Sequence, residues 1–131
     1  MNGYRWLAKR MKALGHPVRL EIVEVLATEG ESCVCHLEAR LGLRQANISQ
    51  HLSRLREAGL VTDRREGLNV YYSLADEHVP SLLAEGRRGM PRGMAPARRR
   101  TKGACPCPRC AHEARKARVT PLRIASQDGM H

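Results

Sequence analysis

Apolar residues at the start of the chain recur with the period of an α-helix. Tyr4, Leu7, Met11 and Leu14 are spaced three or four residues apart, and Gly15 ends the run. This spacing places the four side chains on one face. The pattern predicts a first helix that ends before Gly15.

Helical periodicity continues through three further segments. A second helix is predicted to begin at His16-Pro17, because proline suits the first turn of a helix, and to end at Glu29-Gly30. A third covers about 33–41 and a fourth about 44–58. The turn Leu41-Gly42-Leu43 between them is short, so the third and fourth helices should pack as a helix-turn-helix unit.

The period then changes from 3.6 residues to two. Apolar and polar residues alternate across 68–74, and the segment VTDRR at 61–65 can pair with it around Glu66-Gly67. This pattern predicts a β-hairpin. Asp76 is a suitable N-cap for a short last helix at about 77–85.

These elements define a mainly α fold with a β-hairpin, the winged helix-turn-helix pattern. Residues 1–86 are predicted to form one DNA-binding and dimerisation domain. Residues 87–131 are rich in Gly, Pro and Arg without periodicity and are predicted to be a disordered, cysteine-containing tail. No apolar run approaches the roughly 18 residues of a membrane span, and the N-terminus lacks signal-peptide features, so we expect a cytoplasmic protein without a membrane partner.

Charge is distributed unevenly between these two parts. Residues 1–86 hold 11 basic and 11 acidic side chains, whereas 87–131 hold 12 basic and 2 acidic ones. The overall basicity therefore belongs to the tail and does not identify a DNA-binding fold by itself. A basic run at 98–102 either increases solubility or contacts phosphate.

The predicted fourth helix has two distinct faces. At 100° per residue, Ile48, Leu52 and Leu55 lie together and should enter the core. Polar residues elsewhere on this helix and at its N-terminal end are of types that contact base edges and phosphates. Together with two arginines of the hairpin they form the predicted DNA-binding set: Arg44, Gln45, Asn47, Ser49, Gln50, His51, Arg54, Arg64 and Arg65. A solvated helix surface would use the same residue types, but the order helix-turn-helix-wing favours double-stranded DNA as the partner.

Four consecutive segments resemble the ArsR/SmtB family of metal-responsive transcriptional repressors: LGHPVRLEIVEVLATEG, CVCHLEARLGL, QANISQHLSRLREAGLV and REGLNVYYSLADEHV. The resemblance covers about residues 7–85. It implies a homodimeric winged-helix repressor that loses affinity for a palindromic operator when a metal or metalloid binds. We do not expect an enzyme, because the sequence shows no nucleophile–base pairing and no phosphate-binding loop. It also implies a dimer interface built from the first and last helices, which Tyr4, Leu7, Met11, Val79, Leu82 and Leu83 would suit, although packing within one chain uses the same residue types.

Two cysteines at the start of the third helix are the candidate metal ligands. Cys33 lies at the edge of the apolar stripe and could be a buried small side chain, whereas Cys35 points nearly the opposite way. The two converge only if the chain at 32–35 is not yet regular helix. Thiolates favour soft ions, which makes As(III), Sb(III), Cd, Pb or Zn the expected inducer.

The family resemblance bears on these cysteines in two ways. Cys33-Val34-Cys35 matches the CVC motif of the family's third-helix metal site. Arsenite-type members carry a third cysteine where this chain has Glu38, and cadmium/lead-type members use N-terminal cysteines, which this chain lacks before Cys33. The identity of the metal is therefore left open. Asp76 and His78 match the start of the family's last-helix zinc site, but Gly89 and Arg92 fall near its later positions, which favours a capping role for Asp76.

Three more cysteines, Cys105, Cys107 and Cys110, lie in the tail. A linker of about 20 residues spans roughly 25 Å, enough to bring one of them to Cys33 and Cys35 of either subunit. Alternatively they hold zinc with His112, form a redox pair, or are unstructured reactive thiols. Two other functions stay open accordingly: a winged-helix repressor switched by cysteine oxidation, and a zinc-stapled nucleic-acid-binding interaction protein.

Overall fold

A computed structural model describes residues 2–94 of the chain. Five helices and three strands follow one another in it: α1 (Gly3–Leu14), α2 (Pro17–Glu29), β1 (Ser32–Cys33), α3 (Val34–Leu41), α4 (Gln45–Glu57), β2 (Val61–Glu66), β3 (Asn69–Leu74) and α5 (Val79–Arg88). The predicted order of four helices, a hairpin and a last helix is confirmed.

Side chains of the preceding residues cap the first two helices. Asn2 Oδ1 accepts a hydrogen bond from the Arg5 N–H at 2.9 Å at the start of α1. His16 Nδ1 accepts from the Val18 N–H at 3.1 Å, ahead of Pro17 in the first turn of α2. Both bonds satisfy amides that have no partner within the helix.

The turn between α3 and α4 depends on Gly42. Its φ is +67°, a conformation that glycine adopts without steric penalty, and its N–H donates to the Glu38 carbonyl at 2.8 Å. The turn brings α3 against α4, and the apolar faces of both helices are buried in the core through Leu37, Leu41, Ile48, Leu52 and Leu55. This arrangement fixes the orientation of α4.

The β-structure is a three-stranded antiparallel sheet in the order β1-β3-β2, not only a hairpin. Cys33 pairs with Tyr71 in β3, and α3 accordingly begins one residue later than predicted, at Val34. A strand of two residues is too short to produce a periodic signal. On the other side of β3, pairing with β2 runs from Val61–Leu74 to Glu66–Asn69, which confirms the hairpin. The turn lies one residue later than predicted, at Gly67 and Leu68, because Glu66 pairs with Asn69 and is not part of the tip.

The start of the last helix differs from the prediction. α5 begins at Val79, and Asp76 is not its N-cap residue. Asp76 Oδ1 instead accepts from the His78 N–H at 2.9 Å in the turn before the helix, while Oδ2 binds Arg10. The helix also continues through Gly86 to Arg88, because a glycine lowers helix stability without ending a helix.

Several apolar side chains of α1 and α5 lie outside the core. Tyr4, Trp6, Leu7 and Met11 on α1 and Leu82 on α5 are exposed. Two other residues of the predicted dimer interface behave differently: Val79 is only 3% exposed, and Leu83 packs against the core. Packing within one chain therefore accounts for those two residues.

Candidate DNA-binding face and cysteine site

The polar face of α4 is open to solvent. Ile48, Leu52 and Leu55 are fully buried, so the helix is held from one side only. Six residues of the predicted DNA-binding set are exposed at the other side or at its N-terminal end: Arg44, Gln45, Asn47, Ser49, Gln50 and Arg54. The Arg44 side chain makes no capping hydrogen bond. All six side chains are thus accessible to solvent on α4 or at its N-terminal end.

His51 differs from them because it is half-buried against α2. Its Nδ1 accepts a hydrogen bond from Arg19 Nε–H at 3.2 Å, and its ring centroid lies 4.5 Å from that of His16. Burial lowers the pKa of His51, and the nearby His16 and Arg19 lower it further, because each disfavours a positive charge on the ring. His51 therefore connects the middle of α4 to the start of α2.

The β2–β3 hairpin forms the wing. Arg65 pairs with Val70 and Arg64 with Tyr71, so both arginines lie a short distance before the turn. Arg64 is bound by Glu31 and Glu66, whereas Arg65 belongs to none of the ion pairs within residues 2–94. Leu68, in the turn itself, is fully exposed. The sequence placed Leu68 in the predicted strand at 68–74, so its position in the turn is a difference from the prediction.

The two cysteines at the β1–α3 junction have different environments. Cys33 has an extended backbone and is 3% exposed, and its Sγ accepts a hydrogen bond from the His36 N–H at 3.4 Å. Cys35 lies in the first turn of α3 and is exposed. The two side chains therefore differ in burial, and the same core does not enclose both. Cys33 acts as the N-cap of α3, a role that sequence reasoning did not assign to it.

Charged residues around this junction already have partners. Glu29, at the end of α2, accepts hydrogen bonds from Arg40 Nε at 2.8 Å and binds His36 Nε2 at 2.9 Å. These contacts join the end of α2 to α3. Within residues 2–94, no three His, Cys, Asp or Glu side chains are grouped to hold a metal ion. Cys105, Cys107 and Cys110 lie outside the described residues.

The last-helix candidate site is engaged in a different way. The Asp76 carboxylate is bound to the Arg10 guanidinium at 2.7 Å, and His78 is exposed. A carboxylate that already has a cationic partner is a weaker metal ligand, because binding a metal would leave the partly buried guanidinium without its counter-ion. Asp76 is therefore held in a structural contact, although not as the N-cap of the last helix that the sequence favoured.

The fold and the exposed face of α4 define a winged helix-turn-helix regulator of transcription. The family model "Bacterial regulatory protein, arsR family" matches residues 16–63. A solution NMR structure of a homodimeric winged helix-turn-helix DNA-binding domain from Mycobacterium bovis, described as a possible ArsR-family regulator, is 35% identical with a TM-score of 0.60, over 65% of this chain and 78% of that one. The chain belongs to the ArsR family of bacterial regulatory proteins.

Several relatives have names that mention metals or metalloids. A CadC homolog from Staphylococcus aureus, a cadmium resistance transcriptional regulator, is 44% identical over 59% of this chain and 64% of its own length. The arsenic resistance regulator ArsR1 of Pseudomonas putida is 48% identical over 60% of this chain and 61% of its own length. The match thus spans somewhat less than two thirds of each relative.

No helix among residues 2–94 is both long and apolar enough to cross a membrane.

Proposed function

We propose that this protein is a homodimeric repressor that releases its operator when a soft metal or metalloid binds Cys33 and Cys35. The observation that carries the proposal is the position of these thiols at the first turn of α3, the helix that packs directly on α4. A change at this turn is transmitted to the DNA-binding helix through one layer of side chains. The names of the cadmium and arsenic regulators among its relatives support this effector class.

DNA recognition is assigned to α4 and the wing. Asn47 and Gln50 carry amides that can pair with adenine, while Arg44 and Arg54 suit guanine or phosphate. Arg65 on the wing suits a phosphate contact. A palindromic operator follows if two copies of α4 are presented by a symmetric dimer.

The dimer is assigned to the exposed apolar side chains of α1 together with Leu82 of α5. Tyr4, Leu7 and Met11 are all exposed within one chain, although large apolar side chains usually gain by burial. The homodimeric state given for the Mycobacterium bovis relative supports this assignment.

The geometry of the thiols suggests how binding weakens the DNA complex. Cys33 is buried and caps α3, whereas Cys35 faces solvent. One ion can contact both sulfurs only if Cys33 leaves its capping position. The first turn of α3 then loses its cap, and the packing of α3 on α4 changes. Metal thiolate bonds are strong enough to offset a lost cap of about 1 kcal/mol.

A third thiolate is needed for a three-coordinate arsenic or lead site and a fourth ligand for tetrahedral zinc or cadmium. The nearby His36 is bound to Glu29. We assign the missing ligand to the tail cysteines Cys105, Cys107 and Cys110 of the same or the partner subunit. The number of thiolates that the tail supplies would then determine which metal the site binds.

The test uses the full chain and an operator duplex selected from a random DNA pool. Cd, Pb, Zn, arsenite and antimonite are titrated under reducing conditions while DNA affinity is followed by fluorescence anisotropy. At least one of these ions should lower affinity by about tenfold or more, a coupling of about 1.4 kcal/mol. The C33S and C35S variants should still bind DNA but fail to respond, and intact release in both would refute the site assignment.

A matched triple variant, C105S/C107S/C110S, separates the tail from the core site. Loss of response in this variant assigns the missing ligand to the tail, and an unchanged response excludes it. C33S is a suitable test variant for the core site because serine is itself a good N-cap, so α3 keeps its first turn.

A second candidate is a repressor switched by thiol oxidation. It is favoured by the exposure of Cys35, which an oxidant in solution can reach directly, whereas Cys33 is buried. Release by peroxide or a disulfide reagent in the absence of metals, abolished by C35S and reversed by dithiothreitol, would establish this mechanism in place of metal sensing.

A further inference from the structure

The wing arginine Arg64 is bound by two carboxylates from different parts of the fold. Its Nη2 donates to Glu31 Oε1 at 2.6 Å and its Nε to Glu31 Oε2 at 3.1 Å, a two-point contact with one carboxylate. Its Nη1 donates to Glu66 Oε2 at 2.7 Å. The guanidinium therefore uses three of its N–H groups within the protein.

The contact with Glu31 joins two distant parts of the chain. Glu31 precedes β1, whereas Arg64 lies in β2 at the other edge of the sheet, with Tyr71 of β3 between them. The Arg64 Cζ atom lies 5.1 Å from the centre of the Tyr71 ring. Glu31 is also the more enclosed partner, with 20% of its side chain exposed against 68% for Glu66. Glu31 thus holds the arginine across the face of the sheet.

A phosphate group would need the same N–H groups that Glu31 occupies. Carboxylate and phosphate both bind guanidinium through two parallel hydrogen bonds, so they compete for one surface of the side chain. Two carboxylates also surround a single cation, which gives the cluster of Glu31, Arg64 and Glu66 a net negative charge. This local charge repels the DNA backbone.

We infer that Glu31 is a positioning residue that holds Arg64 away from DNA. The wing therefore binds DNA less tightly than it would if Arg64 were released. The inference rests on the proposed function of the wing in DNA binding. Arg65, which the ion pairs within residues 2–94 leave out, supplies the wing's phosphate contact while Arg64 is held. When the Glu31 contact opens, Arg64 adds a second one.

The consequences for salt dependence are specific. Each phosphate neutralised by a protein cation adds about 0.9 to the slope of log affinity against log salt concentration. Removing the Glu31 charge should therefore increase the slope by about one unit as well as the affinity. A glutamine at this position keeps a similar shape but cannot form the charged two-point contact.

The experiment compares E31Q, R64A and the double variant E31Q/R64A with the unmodified full chain. The matched control is E85Q, which removes a glutamate charge that pairs with Arg88 on α5 at 3.1 Å, away from the wing. Binding to a random-sequence duplex and to a selected operator duplex is measured by anisotropy across a series of salt concentrations. The random duplex reports the phosphate contacts without base recognition.

We expect E31Q to bind both duplexes at least about threefold more tightly, with the steeper slope, and E85Q to change affinity less. R64A alone should have little effect, and E31Q/R64A should lose the gain. The inference is overturned if E31Q binds no more tightly than E85Q, or if the gain survives the loss of Arg64.

A measurement without DNA distinguishes this inference from the proposed function. The Nε–H signal of Arg64 in an NMR spectrum of labelled protein should move toward that of a free arginine in E31Q and stay in place in E85Q. An unchanged signal in E31Q would overturn the inference even if the protein binds DNA. A shifted signal in a chain that binds neither duplex would reject the DNA-binding function while leaving the ion pair established.

Discussion

Arg10 of α1 donates a hydrogen bond of 2.7 Å to the carboxylate of Asp76 in the segment before α5. Both side chains are only 18% exposed, and the guanidinium also lies over the Trp6 ring at 4.1 Å. Arg10 Nε is buried without a hydrogen-bond partner among the described residues. The ion pair therefore stabilises a guanidinium that has given up much of its hydration. It joins the first helix to the segment that leads into the last.

Replacing Asp76 by asparagine should lower the free energy of unfolding by about 1–3 kcal/mol, because the partly buried Arg10 loses its counter-ion. Urea denaturation measures the change. The E85Q variant, which breaks an exposed pair on α5, should stay within about 0.5 kcal/mol of the parent. If D76N were as mild as E85Q, the Arg10–Asp76 pair would not stabilise the fold. The metal response of D76N should match that of the parent chain.

The exposed amides of α4 give a prediction about specificity. N47A and Q50A should each weaken binding to the selected operator by about 1–3 kcal/mol, because each removes hydrogen bonds to a base edge. Binding to a random duplex should change little, since that complex depends on phosphate contacts. T28A, on the exposed side of α2, is the control and should leave both affinities unchanged. An equal loss on both duplexes would assign these residues to the DNA backbone instead.

His51 gives a prediction about pH. Burial, His16 and Arg19 lower its pKa from the usual 6.5, so the folded protein holds fewer protons on this ring than the unfolded chain does as pH falls below that value. The free energy of unfolding should therefore decrease as pH is lowered below the usual histidine pKa of 6.5, because the unfolded chain takes up a proton there that the folded protein disfavours. H51Q should flatten this dependence, measured by urea denaturation at several pH values.

The control for the pH experiment is H78Q, which changes an exposed histidine before α5. It should keep the slope of the parent chain. If H51Q and H78Q gave the same pH profile, the half-buried position of His51 would have no part in the dependence.

The exposed side chains of α1 give a prediction about assembly. If the proposed dimer forms through α1, M11E should shift it to monomer, because a charge within an apolar interface has to be desolvated without a partner. Sedimentation velocity over a range of concentrations measures the shift. L68E places the same charge on a fully exposed leucine of the wing and should leave the dimer intact. A dimer unaffected by M11E would place the interface elsewhere.

Much of the architecture could be predicted from periodicity alone. Ile48, Leu52 and Leu55 fall on one side of α4 in any regular helix, and all three are fully buried. Gly42 between two helical segments similarly predicted the turn, because a positive φ at the end of a helix favours glycine. The short strand β1 was missed since two residues carry no period, and its partner Tyr71 lies far away in the chain.

The candidate site, like the fold, was predictable from the sequence only in its local features. The sequence by itself identified the candidate residues, the Cys33–Cys35 thiols and the polar side chains of α4, because residue type and helical angle are local properties. Only the tertiary structure decided that Cys33 is a buried cap, that Arg64 is held by Glu31 and that Asp76 is bound to Arg10. The Glu31–Arg64 pair joins residues that are 33 positions apart in the chain, and the Arg10–Asp76 pair joins residues that are 66 positions apart. Contacts between residues so far apart in the chain depend on how helices and strands pack, and no local pattern along the chain encodes that packing.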